Sequence, residues 1–172
     1  MQSDYLITVG EKLVRRYGTR DPFAIADGLG ILVKECPDFG PLKGMYTIIK
    51  RNRYIFLNNQ LDEVTRRIVC AHEIGHDQLH RDLVKNGALR EFTLYDMQST
   101  PEYEANIVCA ELLLDTEEVL SYIYREHYTA AQIARIMHTD INLVALKVAH
   151  LDAVGYRLHP QEFRSDFLRQ GS

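Results

Sequence analysis

A membrane-spanning length is missing from this chain. No run of about 18 apolar residues occurs, so no transmembrane helix is expected. Positive charge is not in excess either. Twenty Lys and Arg face 24 Asp and Glu, a formal net charge of -4, which argues against nucleic acid as the main partner. The opening MQSDYLITVGEKLVRRYG has no basic start followed by an apolar block, so a secretory leader is not expected. Cysteine is scarce: Cys36, Cys70 and Cys109 are an odd, scattered set. They suit free thiols in a reducing cytoplasm better than a disulfide framework, and their spacing fits no CxxC metal pattern. Internal repeats and low-complexity segments are also lacking.

What is present suffices for one folded domain. At 172 residues and 46% hydrophobic, the chain can bury a sizeable core. We expect a single domain over residues 1–155 and a polar tail over 156–172. The stripe Tyr5, Leu6, Val9, Leu13, Val14 predicts a helix from Asp4 to Tyr17. Asp21-Pro22 reads as a cap and first-turn proline for a short helix ending at Gly28. Ile31 to Glu35 is strand-like. Cys36 to Lys43, with Pro37, Gly40 and Pro41, is a loop. Gly44 to Asn58 predicts a β-hairpin, in which MYTIIK and YIFLN flank a polar turn at Lys50-Arg51-Asn52-Arg53. The hairpin serves first as sheet core. An edge strand can also pair with an extended peptide. Asp82 to Ser99 reads as a long irregular connector with a short apolar run at Phe92 to Tyr95; loops of this length are often lids or disordered. Ser99-Thr100-Pro101-Glu102 starts a largely apolar, buried helix, EYEANIVCAELLL. Further helices are expected at Glu117 to Glu126, at Ala130 to Met137 behind a Thr129–Gln132 capping box, and at Asn142 to Ala153.

The chemistry concentrates in HEIGH, His72 to His76, within a helix expected to run from after Asn58-Asn59 to about His80. Residues four apart on a helix lie about 40° apart around the axis and about 6 Å along it. His72 and His76 therefore face the same way and can share one ion. Glu73 stands beside them, within reach of a water on that ion. Two neutral imidazoles suit Zn²⁺, and a catalytic zinc keeps one position open for water. HExxH on a helix is the pattern of zinc peptidases for this reason. The bland alternative is a solvated helix carrying two histidines by chance. Against it, Leu61, Val64, Ile68 and Ala71 lead into the motif at helical spacing, so the helix should be buried. Gly75 in its interior can mark the close approach of another backbone.

A third protein ligand is left open by the spacing. His80 lies one turn past His76, although three ligands from successive turns of one helix suit a tetrahedral ion poorly. Glu102 and Glu104 lie in the first turns of the next buried helix, and Glu111 farther along it. For Glu102 the ordinary role would be a first-turn carboxylate facing the helix dipole. Asn106, one turn after Glu102, can hydrogen-bond a ligand.

HEIGHDQLH followed by EYEANIVCAELLL resembles the ImmA/IrrE family of metallopeptidases over about residues 5 to 155. In that family HE(x)GHxxLH is followed by a helix reading roughly ExxAN-x-FA-xx-LL. The pattern falls here on Glu102, Ala105, Asn106, Leu112 and Leu113, and departs at Val108 and Cys109, where Phe and Ala are usual. The resemblance implies an α+β, zincin-like (gluzincin) domain with a small antiparallel sheet packed on the HExxH helix and a helical C-terminal part. It implies Zn²⁺ held by His72, His76 and Glu102, with Glu73 as catalytic base. It also implies a protein substrate: a helix-turn-helix repressor of a prophage or mobile element, cleaved to relieve repression.

Two readings compete with the enzyme. One is a non-catalytic anti-repressor that binds its repressor without cutting it. The other is a DNA-binding module, since Thr129 to Ala153 has helix–turn–helix character. Its would-be recognition helix, NLVALKVAH, offers only Lys147 as a fixed positive charge, and phosphate contacts need more. A helical pair closing the core is the better expectation, and direct nucleic-acid binding is not expected.

Overall fold

The computed structural model describes residues 2–84, 89–91, 99–156 and 158. The chain begins with two helices, α1 (Gln2–Tyr17) and α2 (Pro22–Gly28), the second capped by Asp21 with proline in its first turn, as the sequence predicts. Strands β1 (Ile31–Cys36), β2 (Gly44–Ile49) and β3 (Asn52–Asn58) follow. Next come α3 (Glu63–Leu79), a single turn α4 (Arg81–Val84), a three-residue strand β4 (Leu89–Glu91) and α5 (Thr100–Leu113). Three helices complete the described chain: α6 (Thr116–Tyr124), α7 (Ala130–Ile136) and α8 (Ile141–Ala153). No described helix is long and apolar enough to cross a membrane.

The sheet corrects two expectations. Its order is β1-β3-β2-β4, and β1 pairs with β3 in parallel, so it is mixed and not purely antiparallel. The hairpin is the cause. β2 runs out to the far side and β3 returns between it and β1, in register Ile31 to Arg53 and Cys36 to Asn58. A strand pattern followed by a hairpin pattern does not encode which hairpin strand is the neighbour. The second correction is β4, which lies in a segment expected to be irregular and pairs antiparallel with β2 from Gly44–Glu91 to Tyr46–Leu89. Asp82, the start of that connector, belongs to α4. The apolar run Phe92 to Tyr95 and the tail from 159 onward lie outside the described residues. The hairpin turn is tighter than expected: Lys50 and Arg51 alone form it, both at positive φ (48° and 68°), the conformation two-residue hairpins need.

Helix α3 begins later than the sequence suggests because Asp62 caps it, its carboxylate accepting from the Thr65 N–H at 2.9 Å. Helix α5 starts where expected, with Ser99 as cap and Pro101 in the first turn. Its sequence is apolar on nearly every side, and it is buried accordingly, packed against α1, α3 and α8. The crossing with α3 is very close. A Cβ at Gly75 would stand 2.9 Å from both Cα and the carbonyl oxygen of Ala105. The interior glycine does mark a close backbone approach.

The C-terminal helices close the core. Thr129 and Gln132 form the expected capping box on α7. Leu143, Val144 and Leu151 of α8 are buried in the main core. Lys147 is buried there as well: its ammonium donates to Glu111 Oε2 and, at 2.8 Å, to Thr116 Oγ1. The one cation of the would-be recognition helix is therefore turned into the protein. Burial pushes Lys147 down and Glu111 up, each toward its neutral form, against their mutual attraction. Glu111, weighed as a remote carboxylate, is used in this pair.

Two stability measurements follow. In an exposed helix Gly→Ala gains about 1 kcal/mol. At position 75 the new methyl meets backbone that cannot yield, an overpacking cost of about 1–3 kcal/mol, so Gly75→Ala should lower the unfolding free energy measured in urea despite the better helix former. Lys147→Met should cost about 3–5 kcal/mol by stranding Glu111, whereas Lys147→Met with Glu111→Leu should recover most of the loss.

Candidate metal centre

The fold brings one helix turn of α3 against the first turn of α5. His72 and His76, four residues apart, project from the same side of α3 into the interior and are 1% and 2% exposed. Their rings meet edge to face with centroids 4.6 Å apart. Glu102 precedes Ala105 by three residues, one helical turn, so the Gly75–Ala105 crossing sets Glu102 over the pair. Its two carboxylate oxygens lie 3.2 Å from His72 Nε2 and 3.4 Å from His76 Nε2. The two Nε2 atoms are 3.0 Å apart. Among the described residues, His72, His76 and Glu102 are the group whose ligand atoms converge as a metal ion requires.

The remaining alternatives are placed elsewhere. Glu104 points to His80, with Oε2 2.9 Å from His80 Nε2, and His80 Nδ1 is 3.0 Å from His76 Nδ1. Neither side chain belongs to the converging group. Asn106 sits behind His72, its Oδ1 2.9 Å from His72 Nδ1. The Asn106 carbonyl accepts, so His72 Nδ1 carries a hydrogen, and in the neutral ring Nε2 presents a lone pair toward Glu102.

That arrangement decides what the site can hold. A lone pair and a carboxylate facing each other at hydrogen-bond distance repel unless a cation or proton lies between them. Burial, with further contributions from His72 and His80, pushes His76 down to about 4, so its imidazole is neutral near pH 7. Although burial opposes it, the facing His72 and His76 rings hold the Glu102 carboxyl well below the usual carboxylate range. Two imidazoles and an ionised carboxylate, largely screened from water, fit a divalent cation of zinc's kind.

Glu73 is fully buried and lies on the sheet side of α3. A Cβ at Gly44, the first residue of β2, would come within 2.9 Å of Glu73 Oε1 and 2.3 Å of Val69 Cγ1. Gly44 thus leaves the space in which the Glu73 carboxylate rests. The sequence reading missed this glycine; its place at the start of a strand pattern was the available signal.

A buried polar knot was missed as well. Asp77, next to His76 and fully buried, accepts from Tyr46 Oη at 2.7 Å, Arg53 at 2.9 Å and Arg81 at 2.9 Å. Arg53 also donates to the Leu29 carbonyl. Burial, reinforced by Asp77, raises the Tyr46 phenol above its ordinary value, keeping it a donor. The knot ties β2, β3 and the loop after α2 to the turn of α3 that carries His76. Arg53 read from sequence as a turn residue; only the strand register places its side chain under α3.

Comparison with known proteins agrees with this layout. A peptidase family described as the IrrE N-terminal-like domain matches residues 26–149. The uncharacterized immunity region protein 2 of Bacillus phage phi105 is 33% identical over 141 residues, covering 82% of this chain and 84% of that protein. The matched span takes in both helices of the converging group and all three of its side chains, and the chain belongs to this peptidase family of IrrE N-terminal-like domains.

Proposed function

We propose that the protein is a zinc-dependent endopeptidase of zincin-like, gluzincin type, in which His72, His76 and Glu102 hold the metal and Glu73 is the general base. The observation that carries this reading is the convergence of two buried imidazoles from α3 and one carboxylate from α5 on a single point. Three protein donors leave a fourth position for water, the pattern of catalytic zinc sites. When bound, zinc supplies Lewis acidity, lowering the pKa of a water and polarising a carbonyl. The protein's own residues supply the rest. Asn106 fixes the His72 ring, and the neutral imidazoles keep their lone pairs for the ion. Glu73 takes a proton from the attacking water and returns it to the leaving amine, so no acyl-enzyme forms.

The proposed substrate is a helix-turn-helix repressor of a prophage or mobile element, making the protein a cytoplasmic anti-repressor. Support comes from the family resemblance and from a phage relative described as an immunity region protein. Among the described residues the edges of the sheet are β1 and β4. β4 neighbours β2, whose first residue abuts Glu73, so an extended segment of substrate is proposed to pair with β4.

The test is incubation of the zinc-loaded protein with a candidate helix-turn-helix repressor of a prophage or mobile element, followed by mass spectrometry. One cleavage is expected. Glu73→Gln should retain zinc and lose activity by about 10²–10⁴-fold. Undiminished cleavage by Glu73→Gln would remove Glu73 from the mechanism. A stable complex with no cleavage would favour the non-catalytic anti-repressor.

A further inference from the structure

We propose that Glu104 and His80 are positioning residues that fix the tautomer of His76, so that its Nε2 is held ready for the metal. The inference rests on the zinc site proposed above. It begins from a chain of two hydrogen bonds: Glu104 Oε2 to His80 Nε2 at 2.9 Å, then His80 Nδ1 to His76 Nδ1 at 3.0 Å. The middle ring is 7% exposed and Glu104 16%, so water competes little for either bond.

The polarity of the chain follows from what each atom can donate. A carboxylate offers only acceptors, so the hydrogen between Glu104 and His80 sits on His80 Nε2. With the His80 ring in its neutral form, Nε2–H leaves only a lone pair at Nδ1. The hydrogen between the two rings must therefore come from His76 Nδ1. With Nδ1–H committed, His76 Nε2 bears the lone pair, and that atom is the one facing Glu102 and His72. The two imidazoles are thus held by different devices. His72 leans on a neutral amide, Asn106, while His76 leans on a second histidine backed by a negative charge. A charged partner at the end of the chain also raises the basicity of the ring it orients. In this arrangement the two side chains weighed as alternative ligands act one step behind the ligand.

Zinc affinity, measured by competition with a chromophoric chelator, tests the chain. Glu104→Ala and His80→Phe should each weaken binding by about 10–100-fold. His80→Asn sets a side-chain oxygen where Nδ1 was and should restore affinity to near the wild-type value. In that background Glu104→Ala should add no further loss, because its effect passes through the ring. Unchanged affinity in Glu104→Ala and His80→Phe would overturn the proposal, as would His80→Asn binding as weakly as His80→Phe. Long-range ¹H–¹⁵N NMR of the zinc-loaded wild type is independent of any variant's folding: His80 is expected as the Nε2–H tautomer, and Nδ1–H would overturn the chain. A wild type that binds no zinc would overturn both this inference and the proposed function, whereas a zinc-binding wild type with unaffected variants would overturn this inference alone.

Discussion

The close crossing of α3 and α5 at Gly75 and Ala105 is the constraint on which the rest depends. A side chain at position 75 would collide with the Ala105 backbone. Without that contact the two helices would stand farther apart, as helices with larger residues at the crossing do. Glu102 rides one turn ahead of Ala105, and His72 and His76 flank Gly75 on α3. A wider separation would draw the Glu102 carboxylate away from both imidazoles. The geometry of the site is in this sense a packing property of two helices, set by the smallest side chains on them.

Around that crossing lie several buried polar groups with defined partners. Asp77 collects Tyr46, Arg53 and Arg81 and locks the rotation of α3 against the sheet. Asn106, His80 and Glu104 stand behind the two site histidines. Lys147 and Glu111 join α8 to α5. Buried groups of this kind contribute little net stability compared with apolar packing but impose a large penalty when one partner is lost. Their effect is to fix how α3 sits on the sheet and how α5 sits against α3 and α8, which the aliphatic core alone would leave looser.

Local signals in the sequence carried much of this. Asp21-Pro22, Ser99 with Pro101 and the Thr129–Gln132 box each cap the helix they announce, because capping depends on neighbouring residues only. The i, i+4 spacing brought His72 and His76 together for the same reason. Long-range features were less legible. The parallel pairing of β1 with β3 depends on which hairpin strand returns between the others, and β4 is three residues in a polar connector. Glu102 and Glu104 are two residues apart with similar surroundings in sequence; the crossing of two helices separates their positions. Lys147 read as a potential surface charge because its partner Glu111 lies on another helix, 36 residues away.

The proposed function rests on one zinc ion held jointly by α3 and α5. Anomalous diffraction from crystals of the zinc-loaded protein, recorded on both sides of the zinc absorption edge, tests it most directly. A single strong peak is expected, bounded by His72 Nε2, His76 Nε2 and the Glu102 carboxylate, with His80 and Glu104 outside the coordination shell. A peak coordinated by Glu104 or His80 in place of Glu102, or no peak between the two helices, would contradict it.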